Sequence, residues 1–233
     1  MKPSIILSHF LAVQAMGADK SEPVNYGMVL FPGFQALDVF GPLDALNNLA
    51  WQKPMNLALI APTLKPYSTA QILPANNPHN SNFSQGIVTT HTYARPPRDL
   101  DVLIVPGGAG TYDPENIEPT IQFVKRFAPR VKYLLTVCTG SAVAGRAGVL
   151  DGKNATTNKR SFDRITPNIP NVNWIRQARW VVDGNTWTSS GISAGIDMTL
   201  AFIGDKYGED IADTLASNME YVRNRNSSHD PFA

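Results

Sequence analysis

The 233-residue chain has one cysteine, Cys138, and it ends the run Tyr133-Leu134-Leu135-Thr136-Val137. An apolar, β-branched run of this kind reads as a buried strand. Thr139-Gly140-Ser141-Ala142 behind it reads as a helix start. A strand that turns sharply into a helix holds one side chain up at the junction. It also points the free N–H groups of the first helical turn at whatever that side chain attacks. Those groups and the helix dipole favour a thiolate, so the sequence predicts a Cys138 pKa below the ordinary value of about 8.5. A lone cysteine is more often a small buried hydrophobe. A cysteine used only for packing, however, has no reason to stand where strand becomes helix. Cys138 is therefore read as a nucleophile on an elbow.

The elements needed to position it recur along the chain. Tyr26 to Leu30, Asn56 to Ile60, Asp101 to Val105 and the cysteine run read as buried strands. Between them fall helical stretches, one beginning at Pro42 with Leu43, Leu46 and Leu49 on one face, another over 117–127. Asp183-Gly184-Asn185 between two apolar runs is a hairpin signal. Residues 62–85 are rich in Pro, Asn and Ser and read as a loop, and 87–93 reads as an edge strand or a hairpin arm. Helices close the chain over 193–207 and 210–224. Alternating strands and helices imply an α/β fold with a mostly parallel sheet covered on both faces. Loops at the carboxyl ends of such strands meet in one crevice. Residues 31–38, Pro106 to Gly110 and Cys138 to Ser141 all lie at those ends.

Composition narrows the function. Net charge is +1, with 43% hydrophobic and 17% charged residues, the profile of an ordinary globule with no Lys/Arg cluster. Binding to nucleic acid or to a membrane is not expected. A single cysteine permits no internal disulfide. His9, His79, His91 and His229 show no metal-ligand spacing, so no metal or other cofactor is expected. Residues 1–24 read as an extension or signal peptide, with an apolar stretch at 5–13 and Ala15-Met16-Gly17 as a cleavage-like site. Sequons stand at Asn82, Asn154 and Asn226. Secretion is favoured over a cytoplasmic location, although an unpaired thiol argues the other way. One domain is read over 25–226, with a tail at 227–233.

Six motifs in order carry a family resemblance: Leu30-Phe-Pro-Gly33, Leu37-Asp38-x-x-Gly41-Pro42, Val105-Pro-Gly-Gly108, Val137-Cys-Thr-Gly140, Gly148-Val-Leu-Asp-Gly152 and Ala155-Thr-Thr157. Together they resemble the ThiJ/PfpI family, over nearly the whole chain from Tyr26 to Asn224. The resemblance implies a flavodoxin-like, doubly wound fold and a homodimer. Protease-like relatives carry a histidine after the nucleophile and another where Asn158 stands. Here Thr139 and Asn158 occupy those positions, which disfavours a peptidase. Asp38-x-x-Gly-Pro42 with Val137-Cys138-Thr139-Gly140 is similar to the isonitrile hydratase branch. That branch implies Asp38 as proton carrier, Cys138 as nucleophile and Thr139 as the residue orienting the intermediate. The first of these motifs also resembles the sensing domain of AraC-type regulators, but the DNA binding of such regulators is not expected here.

The expected chemistry is hydration of a small electrophile, most simply an isonitrile to an N-substituted formamide. A thioimidate would form on Cys138, and Asp38, with a pKa raised by burial, would move the proton. The N–H groups of Gly108 and Thr139 would face the developing charge. Two alternatives stand beside this reading: a glyoxalase-like or hydrolytic enzyme acting on reactive carbonyls, and a non-enzymatic sensor in which Cys138 is oxidised. For single residues the structural alternatives are a helix cap for Asp38, a tight turn for Gly107-Gly108 and a plain helix start for Thr139.

Overall fold

The computed structural model describes residues 22–233. The proposed signal peptide, and all but the end of the 1–24 extension, lie outside the described residues. The strands in chain order are β1 (Asn25–Val29), β2 (Asn56–Ala61), β3 (Tyr67–Ser68), β4 (Gly86–Ile87), β5 (His91–Thr92), β6 (Val102–Val105), β7 (Tyr133–Thr136), β8 (Asn154–Ala155), β9 (Asn173–Trp174), β10 (Trp180–Asp183) and β11 (Thr186–Ser189). The helices are α1 (Ala36–Ala50), α2 (Pro114–Phe127), α3 (Gly140–Arg146), α4 (Phe162–Ile165), α5 (Ala194–Tyr207) and α6 (Glu209–Asn218).

Seven strands form one sheet in the order β10-β11-β7-β6-β1-β2-β5, parallel except for the β10–β11 hairpin. Residues of β6 and β7 are buried throughout, as expected of strands covered on both faces. The β2-β1-β6-β7-β11 core is the flavodoxin-like strand order, and its switch point lies between β1 and β6. Register makes the site. Val105 pairs with Thr136, so Pro106-Gly107 and Val137-Cys138 leave the sheet side by side. The β1 loop reaches the same edge, where Gln35 N–H donates to the Gly107 carbonyl at 2.9 Å.

Several boundaries differ from the sequence reading. Helix α1 begins at Ala36, so Pro42 lies inside it rather than at its first position. Pro42 has no N–H, which leaves the Asp38 carbonyl without its helical partner. The hydrophobic face of α1 outweighs that loss: Leu43, Leu46 and Leu49 are buried, as expected. Gly41 abuts Ile196 of α5 at 2.8 Å from where a Cβ would stand, so α1 and α5 pack closely. Helix α2 starts three residues early because Asp113 caps it through the Glu115 and Asn116 N–H groups, with Pro114 in the first turn. Helix α6 stops at Asn218. The stretch at 87–93 is split between β4 and the edge strand β5. Trp180 and Trp187 are core residues, whereas Trp51 is exposed.

Residues 227–233, read as a tail, pack onto the body. The Ser227 carbonyl accepts from Arg179 N–H, and Asp230 is buried against Ser190 and Lys159.

Candidate active site

Cys138 adopts φ +57°, a left-handed conformation uncommon for a residue bearing a Cβ. Such strain, about 1–3 kcal/mol, persists only where the surroundings impose it. The restraints here are specific. Val137 N–H donates to the Val105 carbonyl and Gly140 N–H to the Val137 carbonyl, which closes the turn. The Cys138 carbonyl accepts from the hydroxyls of Ser141 (3.0 Å) and Thr157 (3.2 Å). A Cβ on Gly140 would lie 2.2 Å from the Val105 carbonyl oxygen, so only glycine lets α3 start this close to β6. The strand–elbow–helix reading of 133–146 therefore describes the local geometry.

Asp38 lies in the first turn of α1 and is fully buried. It does not cap the helix: Gln35 holds the cap position. One carboxyl oxygen, Oδ2, accepts from Gly107 N–H at 2.9 Å, and Oδ1 is buried without a well-formed hydrogen bond. Burial pushes the Asp38 pKa up to about 7, against the Gly107 hydrogen bond and a contact with the Cys138 thiol, both of which favour the carboxylate. A Cβ on Gly107 would fall 2.6 Å from Thr139 N and 2.9 Å from Asp38 Oδ2, so this glycine is where loop, acid and elbow converge.

The electrostatics of the sulfur run opposite to the expectation of a low pKa. Cys138 is 5% exposed. Burial is the main cause raising its pKa, and the neighbouring Asp38 charge adds to it. Thr139 N–H and the Asn158 side chain favour the anion but do not prevail. The physical reason is that no cation among the described residues offsets the loss of water, and α3 is only seven residues long. The resting group is a thiol beside a carboxyl.

The expected oxyanion pair is also altered. Gly108 N–H donates to Thr139 Oγ1 at 3.0 Å, so it is engaged by the hydroxyl rather than presented to a substrate. The Thr111 hydroxyl donates to the Gly108 carbonyl at 2.7 Å and lies 3.1 Å from Thr139 Oγ1. Thr139 thus ties the 106–111 loop to the elbow through its side chain, while its backbone N–H faces the sulfur. Asn158, singled out in the sequence only for not being histidine, is the donor that was overlooked. Its position three residues after Ala155, beside the last of the six motifs, drew notice only for residue type, because nothing local in the sequence shows that it reaches the sulfur.

Asn158 also borders a cavity of about 390 Å³. Its Oδ1 accepts from Ser161 N–H, which caps the turn Lys159–Ser161. Ser190, Ile192, Asp230 and Phe232 line the same cavity.

Comparison with known proteins agrees with this architecture. The DJ-1/PfpI family model matches residues 27–205. The chain belongs to the DJ-1/PfpI family. Isonitrile hydratase from Pseudomonas putida is 35% identical over 200 residues, 85% of this chain and 79% of that protein. The HTH-type transcriptional regulator GbdR from Pseudomonas aeruginosa is 32% identical over 127 residues, 54% of this chain but 34% of the regulator. A ThiJ/PfpI family crystal structure from Pseudomonas syringae superposes with TM-score 0.67 at 25% identity, covering 94% of this chain and 83% of that one. Members of the DJ-1/PfpI family thus include both an enzyme and a regulator with detectable similarity to this chain.

Proposed function

We propose that the chain hydrates a small isonitrile to the N-substituted formamide, with Cys138 as nucleophile and Asp38 as proton carrier. The observation that supports it is the contact between the buried thiol and a carboxyl whose pKa is near 7. An isonitrile carbon takes both the nucleophile and the proton, so donor and nucleophile must be neighbours. A peptide carbonyl instead needs its acid at the leaving nitrogen. The Asp38 carboxylate takes the thiol proton as sulfur bonds to the terminal carbon, then gives it to that same carbon, leaving an S-linked thioimidate. Water adds to this carbon, with Asp38 accepting its proton and passing it to nitrogen. The carbon–sulfur bond breaks, the remaining hydroxyl proton returns to sulfur, and R–NH–CHO leaves. One isonitrile and one water make one formamide.

The likeness to the Pseudomonas putida isonitrile hydratase supports this reading over its rivals. A buried, high-pKa thiol is poorly suited to oxidation sensing, which selects exposed thiolates. Cyclohexyl isocyanide and methylglyoxal offered in parallel test the assignment. N-cyclohexylformamide is the expected product. Lactate from methylglyoxal without formamide would replace this reading with the glyoxalase-like one.

A further inference from the structure

The cavity beside Asn158 has a charge that its own walls leave unmatched. Three cations border it: Lys159, Arg160 and Arg179. The Lys159 amine is buried and engaged: it donates to Thr156 Oγ1 and to the Ala178 carbonyl, both at 2.8 Å, and lies 3.4 Å from Asp230. Arg179 is paired with Asp197 at 2.7 Å. Asp230 also accepts from the Ser190 hydroxyl at 2.6 Å. Arg160 alone of the three has no ion pair or hydrogen bond among the described residues, and its side chain is solvent-accessible. The turn that carries Arg160 is the one capped by Asn158, and Asn158 both borders the cavity and interacts with the sulfur, so the unpaired guanidinium stands two residues from the side chain that reaches Cys138. Ile192 and Phe232 give the cavity an apolar wall.

We propose that the substrate entering this cavity is a carboxylate. It is a small electrophile with a short apolar body, its reacting carbon at Cys138 and its anionic end on Arg160. A guanidinium presents paired N–H donors in the geometry a carboxylate accepts, and the recognition adds little for a neutral molecule. The inference rests on Cys138 being the nucleophile reached through this cavity, and it names the class of molecule that reaches it.

Two alkylating probes of similar size separate it from the reaction assigned above. Iodoacetate and iodoacetamide both form a carbon–sulfur bond to Cys138 with loss of iodide. Cys138 is the only cysteine, so intact mass reports it alone. The iodoacetate-to-iodoacetamide rate ratio at pH 8.5 is expected to fall about tenfold in Arg160→Gln, the equivalent of one charged hydrogen bond, and to recover in part in Arg160→Lys. Isocyanoacetate against its ethyl ester, compared by kcat/KM, should show the same Arg160-dependent preference. An unchanged alkylation ratio in Arg160→Gln would overturn the proposal. Loss of the ratio's dependence on Arg160 bears on the substrate class, whereas absence of formamide from either isonitrile bears on the reaction. The two failures are therefore distinguishable.

Discussion

At Cys138 two influences oppose each other. The elbow gives the sulfur a backbone N–H and an amide donor, while burial and the adjacent carboxyl hold the proton on. Under the proposed mechanism the reactive form is then one proton shared between sulfur and Asp38, not a free thiolate. Because Asp38 loses its own proton near pH 7 and the thiol only far above it, kcat/KM should rise through a pKa of about 7 and stay level to at least pH 9. A stopped assay of formamide release against pH checks this, and a profile still rising above pH 8 would mean that thiol ionisation controls the rate. Cys138→Ala and Asp38→Asn should each remove turnover, about a thousandfold or more, while circular dichroism stays native. Thr139→Val removes the acceptor for Gly108 N–H. It should cost about 1–3 kcal/mol of unfolding free energy in urea, with Thr139→Ser restoring most of it. Cys138 stood out in the sequence as a lone cysteine at a strand end, whereas Asp38 was singled out through the family resemblance, its local pattern suggesting only a helix cap; the contact between them belongs to the fold. The raised thiol pKa was not legible either. It depends on how completely the folded chain excludes water, and no spacing of residues encodes that.

The elements differ in how far they could be read. β6 and β7 are unbroken apolar runs between turn residues, so their burial and parallel pairing followed from composition. The start of α1 was misplaced because Pro42 is a strong start signal locally, whereas burial of Val39 and Asp38 begins the helix a turn and a half earlier. The C-terminal segment was unreadable for another reason. Asp230 has no patterned neighbour, and its partners Lys159 and Ser190 lie 71 and 40 positions away in the chain. This segment forms one wall of the cavity, through Asp230 and Phe232. Replacing Asp230 with Ala leaves a buried, positively charged Lys159 without its counter-ion, and should lower stability by about 3 kcal/mol in urea unfolding. The double variant Lys159→Met with Asp230→Ala should recover much of that loss. A double variant as unstable as the single one would show that packing of the segment, not the charge, is what matters.

For the whole molecule, the strand order brings three carboxyl-end loops together at the switch point, and that placement buries a proton-binding group, Asp38, at the carboxyl edge of the sheet. Folding raises the Asp38 pKa from near 3.9 to about 7, so between those values the folded form binds a proton that the unfolded form releases. The stability this contributes is complete below pH 4 and is lost as pH rises through 7, at up to about 1.4 kcal/mol per pH unit from this group. Asp38→Asn should therefore unfold at a higher temperature than the wild type at pH 8, with no such advantage at pH 4. Identical slopes of Tm against pH would contradict the raised pKa. The central claim is a covalent bond between isonitrile carbon and Cys138, and rapid acid quench with intact-protein mass spectrometry tests it most directly. Wild type mixed with cyclohexyl isocyanide should gain the mass of one isonitrile at Cys138 before formamide appears, and Asp38→Asn should not. Formamide released with no adduct on Cys138 at any quench time would contradict the account.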